Sequence, residues 1–346
     1  MSAEDRLRIG IVGYGGSGRG IHARLARKAG HDVRGVVVRS EERVAQVRAD
    51  WPAAVVHPDL DTLLATHDEV DLVVVTSPTG LHEEHAAAVL RAGVPLLMDK
   101  PLALSGDGAA AVLDVSRSTG TPFTVFQNRR WDPEQLTLRA VLASGDLGTV
   151  HRFERRWERW RPVPQQRWKE QDPDGGGLLL DLGTHLVDSA VQLFGPVQSV
   201  YAELRAITTP TEDDVFLSLH HVPASGTGRG VVSHLTAGSV VGAPGPRTRV
   251  LGDAGAYVVT TFENDASPFE EMDADAPQGS EGWIARGRER TAVPQAPGGH
   301  EDFYPAVAAW VLDGAPAPVD PEDVVRTARV LDAARVSART GERVTV

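Results

Sequence analysis

From Leu7 to about Phe126, short β-branched runs alternate with stretches in which apolar residues recur every three to four positions. The runs predict strands at Arg8–Val12, Val33–Val38, Ala54–His57, Leu72–Thr76, Pro95–Met98 and Phe123–Phe126. Ile21, Leu25 and Ala29 repeat at helical spacing, and a helix from His82 closes at Ala92 with Gly93 suited to the left-handed residue beyond the last turn. Strand and helix in strict alternation is the rhythm of a doubly wound parallel sheet, an α/β Rossmann domain.

Beyond Phe126 the rhythm changes. One helix is expected near Pro133–Ala143, followed by strand-period segments at Val150–Trp157, Val197–Ile207, Phe216–Val222, Gly230–Thr236 and Tyr257–Thr261. That pattern predicts an α+β domain with a large, mostly antiparallel open sheet. The stretch from Glu263 to Gly299 is acidic and rich in Pro and Gly and reads as long loops; the last helices start at about Tyr304 and Pro321. Two domains are therefore expected, 1–122 and 123–346, with packing of the last helices back on the first domain left open.

Composition narrows the function. With 47 acidic and 35 basic residues the formal charge is −12, and the arginines are scattered among carboxylates, so no basic stripe exists for a nucleic-acid backbone. No cysteine is present, which excludes disulfides, thiolate metal sites and a cysteine nucleophile. A reducing cytoplasm fits this composition. The polar start and the absence of any apolar run of about 18 residues predict neither leader nor membrane anchor.

The first strand runs into Gly13-Tyr14-Gly15-Gly16-Ser17-Gly18, a G-x-G-x-x-G pattern with a helix behind it. Gly13 permits a tight turn, Gly15 lets backbone approach a pyrophosphate, and Gly18 lets helix pack closely on strand. The helix N-terminus then offers N–H groups to phosphate. After the second strand, where an acid would hold the ribose 2′-hydroxyl of NAD, stand Arg39 and Ser40. A cation and a hydroxyl suit a 2′-phosphate, so NADP(H) is the expected cofactor, with NAD(H) as the alternative. Ser40 equally suits an N-cap before Glu41 and Glu42.

Two groups of residues suggest chemistry. Asp99-Lys100-Pro101 follows the fifth strand at the carboxyl edge of the sheet, where ligands gather, so Lys100 is a candidate donor to a substrate oxygen. Asp181, His185 and Asp188, after Gly175-Gly176-Gly177, fall at i, i+4 and i+7 and form one polar stripe on an apolar helix. His185 is the base candidate for a hydroxyl proton. Two ligands four apart do not make a metal site, and His82 and His85 lack H-E-x-x-H spacing, so no metal is expected. His82 is placed at a helix start, near the nicotinamide in the functional reading.

Taken together, the glycine loop, Thr76-Ser77-Pro78-Thr79-Gly80-Leu81-His82, Asp99-Lys100-Pro101, Gln127-Asn128-Arg129-Arg130-Trp131-Asp132 and the Asp181–His185 segment resemble the glucose-fructose oxidoreductase / inositol dehydrogenase / rhizopine-catabolism family over essentially the whole chain. Asp99 is a shortened form of the family's usual Glu, and Gln127 stands where the branch of NADP-dependent scyllo-inositol dehydrogenases commonly has His. The resemblance implies hydride transfer to or from a cyclitol or sugar ring carbon, with Lys100, Asp181 and His185 catalytic. It implies cofactor contacts from Gly13 to Gly18, Arg39, Ser40, Ser77, Pro78, His82, Asp99, Lys100, Gln127, Arg129 and Trp168. It implies substrate contacts from Lys100, Asn128, Trp131, Asp181 and His185, and a homodimer or homotetramer. A sugar-processing enzyme with a recycled nicotinamide and a non-catalytic nucleotide-binding regulator are the competing functions.

Overall fold

The computed structural model describes residues 6–223, 230–260 and 275–346. Two compact units emerge, the first comprising residues 1–128 and 299–325, the second 129–298 and 326–346.

The first unit is built on a parallel sheet of β1 (Arg8–Val12), β2 (Asp32–Val37), β3 (Val55–His57), β4 (Leu72–Val75), β5 (Leu96–Met98) and β6 (Phe123–Val125), in the order β3-β2-β1-β4-β5-β6. The central strand β4 is buried along its whole length, as expected for a sheet covered on both faces. Its helices are α1 (Arg24–Lys28), α2 (Glu41–Asp50), α3 (Leu60–Leu64), α4 (His82–Arg91) and α5 (Gly106–Thr119). The expected close of α4 is present, with Gly93 at φ +79°. The helix expected around Ile21 opens instead as a wide π turn, Gly18–Ala23, before α1.

The expected boundary at 122/123 is displaced. β6 hydrogen-bonds to β5 and so completes the first sheet, and the segment 299–325 belongs to the first unit. The reason is tertiary: the Thr124 hydroxyl donates to the Val319 carbonyl oxygen (2.9 Å) and accepts from its N–H (3.1 Å), and Phe126 packs edge-on against Phe303 at 4.8 Å.

The second unit carries α6 (Pro133–Ser144), β7 (Val150–Glu158), α7 (Trp168–Gln171), α8 (Thr184–Phe194), β8 (Val197–Arg205), β9 (Asp214–His221), β10 (Val232–Gly238), β11 (Thr248–Gly252), β12 (Ala256–Val259), β13 (Ser280–Arg286) and β14 (Glu289–Pro294). The chain ends with α9 (Phe303–Asp313), which lies in the first unit, α10 (Pro321–Thr340) and the short β15 (Val344–Thr345). The nine-stranded sheet runs β14-β13-β12-β11-β7-β10-β9-β8-β15, antiparallel throughout except for β7 beside β10. The reading of 263–299 as loops is corrected here: 280–294 forms the hairpin β13–β14 at the sheet edge, turned by Gly287 at φ +63°. Its alternation is hidden because each strand buries a single residue, Trp283 in β13 and Val293 in β14. The earlier part of that stretch, up to 274, and Thr261 lie outside the described residues. No helix among the described residues is long and apolar enough to cross a membrane.

Candidate active site

In the first unit the glycine loop has the geometry a pyrophosphate requires. Gly13 takes φ +91° directly after β1, and the Thr76 hydroxyl donates to the Gly13 carbonyl oxygen at 3.0 Å. A Cβ at Gly18 would overlap the Gly13 carbonyl oxygen, while one at Gly16 would meet open space. The loop is thus tight where helix meets strand and bare where a ligand's phosphates would lie. Tyr14 faces inward, and its hydroxyl donates to Asp50 at 3.0 Å; burial first, then Asp50, pushes it up to about 12.

Beyond β2, Arg39 directs its Nε to the Pro58 carbonyl oxygen at 3.3 Å. Ser40 caps α2 by accepting from the Arg43 N–H.

Lys100 stands at the end of β5, half-buried, before a cis peptide bond to Pro101. The shortened acid Asp99 reaches its partners: it accepts from the Lys100 backbone N–H at 2.9 Å and from the Ser17 hydroxyl, tying the glycine loop to this strand end. His82 is 2% exposed, with Nδ1 2.7 Å from the Pro101 carbonyl oxygen and Nε2 2.8 Å from that of Ser77. It therefore clamps the segment of Ser77 and Pro78 to the turn that carries Lys100. Gln127 follows β6 at 1% exposure, and neither atom of its amide has a hydrogen-bond partner among the described residues. A buried orphan amide costs free energy unless something supplies a donor and an acceptor, and a carboxamide-bearing cofactor does both. Asn128 beside it is half-buried. The cradle and the orphan amide both fit a nicotinamide dinucleotide.

In the second unit the expected helix is two elements, a π turn at Leu179–Gly183 followed by α8. Wide turns of this kind re-aim side chains and recur at functional sites. Asp181 lies in the π turn and accepts from Lys169 Nζ at 2.5 Å; His185, 8% exposed, lies in the first turn of α8. The glycine run before them admits protein rather than ligand: a Cβ at Gly176 or Gly177 would overlap the Lys169 and Asp172 carbonyls or the Glu212 carboxylate. Those glycines let the segment bearing Lys169 lie against the turn bearing Asp181. Trp168, which opens α7, is half exposed. Asp188 is not a face of the site, because Arg130 holds it in a buried bidentate pair at 2.9 and 2.7 Å.

Sequence reasoning missed what stands behind His185. Its ring lies 5.9 Å from the Trp157 indole, and the guanidinium carbons of Arg129 and Arg247 (4.8 Å) and Arg159 (5.3 Å) approach the same indole. Beneath it, Glu134 pairs with Arg155 at 2.7 Å and Arg247 at 3.2 Å and accepts from Thr248, all four residues buried. Burial alone would raise the Glu134 carboxyl; the two guanidiniums overcome it and hold the group at about 2. Burial lowers Arg247 to about 10 against the pull of Glu134. The available signal was Arg155 itself, an arginine between Phe153 and Trp157 on the inward-facing positions of β7. Arg129 lies 3.4 Å from Asp132, and Trp131 is half-buried. Among the described residues no cluster of three or more His, Asp or Glu could hold a metal.

Comparison with known proteins agrees with this architecture. Residues 7–127 match the oxidoreductase family with an NAD-binding Rossmann fold, and residues 135–258 match the GFO/IDH/MocA C-terminal domain. The chain is 29% identical to the Bacillus subtilis scyllo-inositol 2-dehydrogenase (NADP(+)) IolW, over 97% of this chain and 94% of that one. It is 30% identical to the uncharacterized oxidoreductase YdgJ of Escherichia coli, over 97% of each. The structure of the Bacillus subtilis oxidoreductase yvaA superposes with a TM-score of 0.85 at 26% identity, covering all of both chains. With the glycine cradle, the Lys100 strand end and the Asp181–His185 turn in place across both matched domains, the chain belongs to the GFO/IDH/MocA family of NAD(P)-dependent oxidoreductases.

Proposed function

We propose that the protein is an NADP(H)-dependent dehydrogenase/reductase that interconverts a ring hydroxyl and a ketone of a cyclitol such as scyllo-inositol, or of a related sugar. The observation that carries this reading is the pairing of a carboxylate and an imidazole, Asp181 and His185, in successive turns at a π-to-α junction. The likeness to an NADP-dependent scyllo-inositol 2-dehydrogenase over nearly the whole chain supports the substrate class.

When bound, the nicotinamide accepts the hydride of the CH–OH carbon or returns it. The remaining work falls to side chains. His185 takes the hydroxyl proton at a ring nitrogen, which suits a group of this type near neutral pH. Lys100 donates to the same oxygen and favours the charge that builds on it as the proton leaves. Asp181, fixed by Lys169, accepts from a ring hydroxyl and sets the face presented for reaction. Asn128 and Trp131 contribute further substrate contacts. Gly13 to Gly18, Arg39, Ser40, Ser77, Pro78, Asp99, Gln127, Arg129 and Trp168 serve the cofactor, with His82 supporting them. The reading includes a cytoplasmic homodimer or homotetramer.

The test is a nicotinamide-absorbance assay against inositol isomers and common aldoses with NADP and NAD side by side. Reduction of NADP with scyllo-inositol is the expected result. Substrate turnover without net cofactor reduction would replace this reading with a recycled-nicotinamide chemistry, and silence with every substrate would remove the substrate assignment.

A further inference from the structure

We propose that Arg43, in the first turn of α2, is the principal cation for the adenosine 2′-phosphate and so sets cofactor preference; this rests on the NADP(H) reading above. A 2′-phosphate needs a cation that can reach the ribose, between the end of β2 and the glycine turn. Arg39, the residue after β2 that sequence position favours, is drawn the other way, toward the Pro58 carbonyl oxygen and Asp59. Arg43 folds back instead: its Nη2 lies 3.6 Å from where a Cβ of Gly15 would stand, and no other residue comes within 4 Å of that position. Gly15, the glycine that lets a dinucleotide approach, is therefore flanked by one guanidinium and otherwise open.

That guanidinium borders a cleft of about 600 Å³ running from Gly15 and Gly16 past Gln46 to Asp50 and Trp51. The cleft's other arginines are committed. Arg19 pairs with Asp50 at 2.7 Å, Arg24 donates to the Gly20 carbonyl oxygen at 3.1 Å, and Arg27 lies 4.4 Å over the Trp51 ring while donating to the Asp50 carbonyl oxygen. Of the acids, Asp50 is held by Arg19 and Tyr14, and Glu42 accepts from Gln46. The Arg43 guanidinium makes no hydrogen bond or ion pair among the described residues; only its backbone N–H is engaged, by Ser40. It is the cation of this cleft with its full fork available to a phosphate monoester. The Ser40 hydroxyl and the N-terminal N–H groups of the ten-residue α2 add to the same field.

The experiment is isothermal titration of the full chain with adenosine 2′,5′-bisphosphate and with AMP, for the unaltered protein, Arg43→Ala, Arg43→Lys and Arg39→Ala. The unaltered protein should prefer the bisphosphate. Arg43→Ala should weaken bisphosphate binding about tenfold or more, the loss expected for a charged hydrogen bond, and leave AMP within about twofold. Arg43→Lys should keep part of the preference, and Arg39→Ala should cost less of it than Arg43→Ala does. Retained preference in Arg43→Ala, with loss in Arg39→Ala, would overturn the assignment and leave the NADP(H) reading intact. Absence of preference in the unaltered protein would overturn both, and is recognised before any variant is measured.

Discussion

Replacing Glu134 by glutamine keeps the shape of the side chain and removes a carboxylate that Arg155 and Arg247 share. Glu134 is 2% exposed, Arg155 3% and Arg247 5%, so the two guanidiniums would face one another with little water to screen them. Breaking a buried ion pair by removing one partner costs about 3–5 kcal/mol, because the surviving charge stays desolvated. For a unit of this size that lowers the melting temperature by very roughly 6–20 °C. The assay is equilibrium denaturation with urea at pH 7 and again at stepwise lower pH. The folded pKa lies below the unfolded one, so the pair's contribution is complete above about pH 4.5 and is lost as pH falls toward 2. Glu134→Gln should therefore be less stable at neutral pH and lose less on acidification through that window. A loss under about 1 kcal/mol at pH 7, with an unchanged acid slope, would refute the account of the triad. Because Arg247 also borders the indole that packs beside His185, turnover in the variant should fall even where it remains folded.

Lys100→Ala and His185→Ala should each reduce turnover by orders of magnitude while NADPH still quenches intrinsic fluorescence; near-normal turnover in either would remove that residue from the mechanism. Gly18→Ala should abolish dinucleotide binding, since its Cβ would overlap the Gly13 carbonyl oxygen, and titration with NADPH reads this directly. His22 and His221 are held below the usual imidazole value by burial, so the unfolded chain binds the extra proton first. Their contribution is intact above about pH 6.5 and is lost as pH falls below it, which a melting series from pH 8 to 5 would record as a declining midpoint.

Much of the fold was legible because it is written in local periodicity. At β1, β4 and β5, β-branched and apolar runs of strand length sit between helical repeats, and the glycine loop announces itself by the strand before it. Lys100 and the Asp181–His185 pair were legible as candidate chemistry because lysine before proline at a strand end, and imidazole with carboxylate on an apolar helix, are poor choices for plain packing. The hairpin β13–β14 was not legible, since its residues bury too little to leave an alternating trace.

The sequence alone determined the class of each domain, the place of the dinucleotide cradle and the candidates for the reacting groups, because those depend on spacing within a few residues. Only the tertiary structure decided which polar residues face inward as pairs and which stay available. Asp188 is spent on Arg130, 58 residues away, and Glu134 on Arg247, 113 residues away, while Arg43 returns to Gly15. Charge pairing at such separations depends on where the folded backbone brings side chains together, and no local pattern encodes that distance.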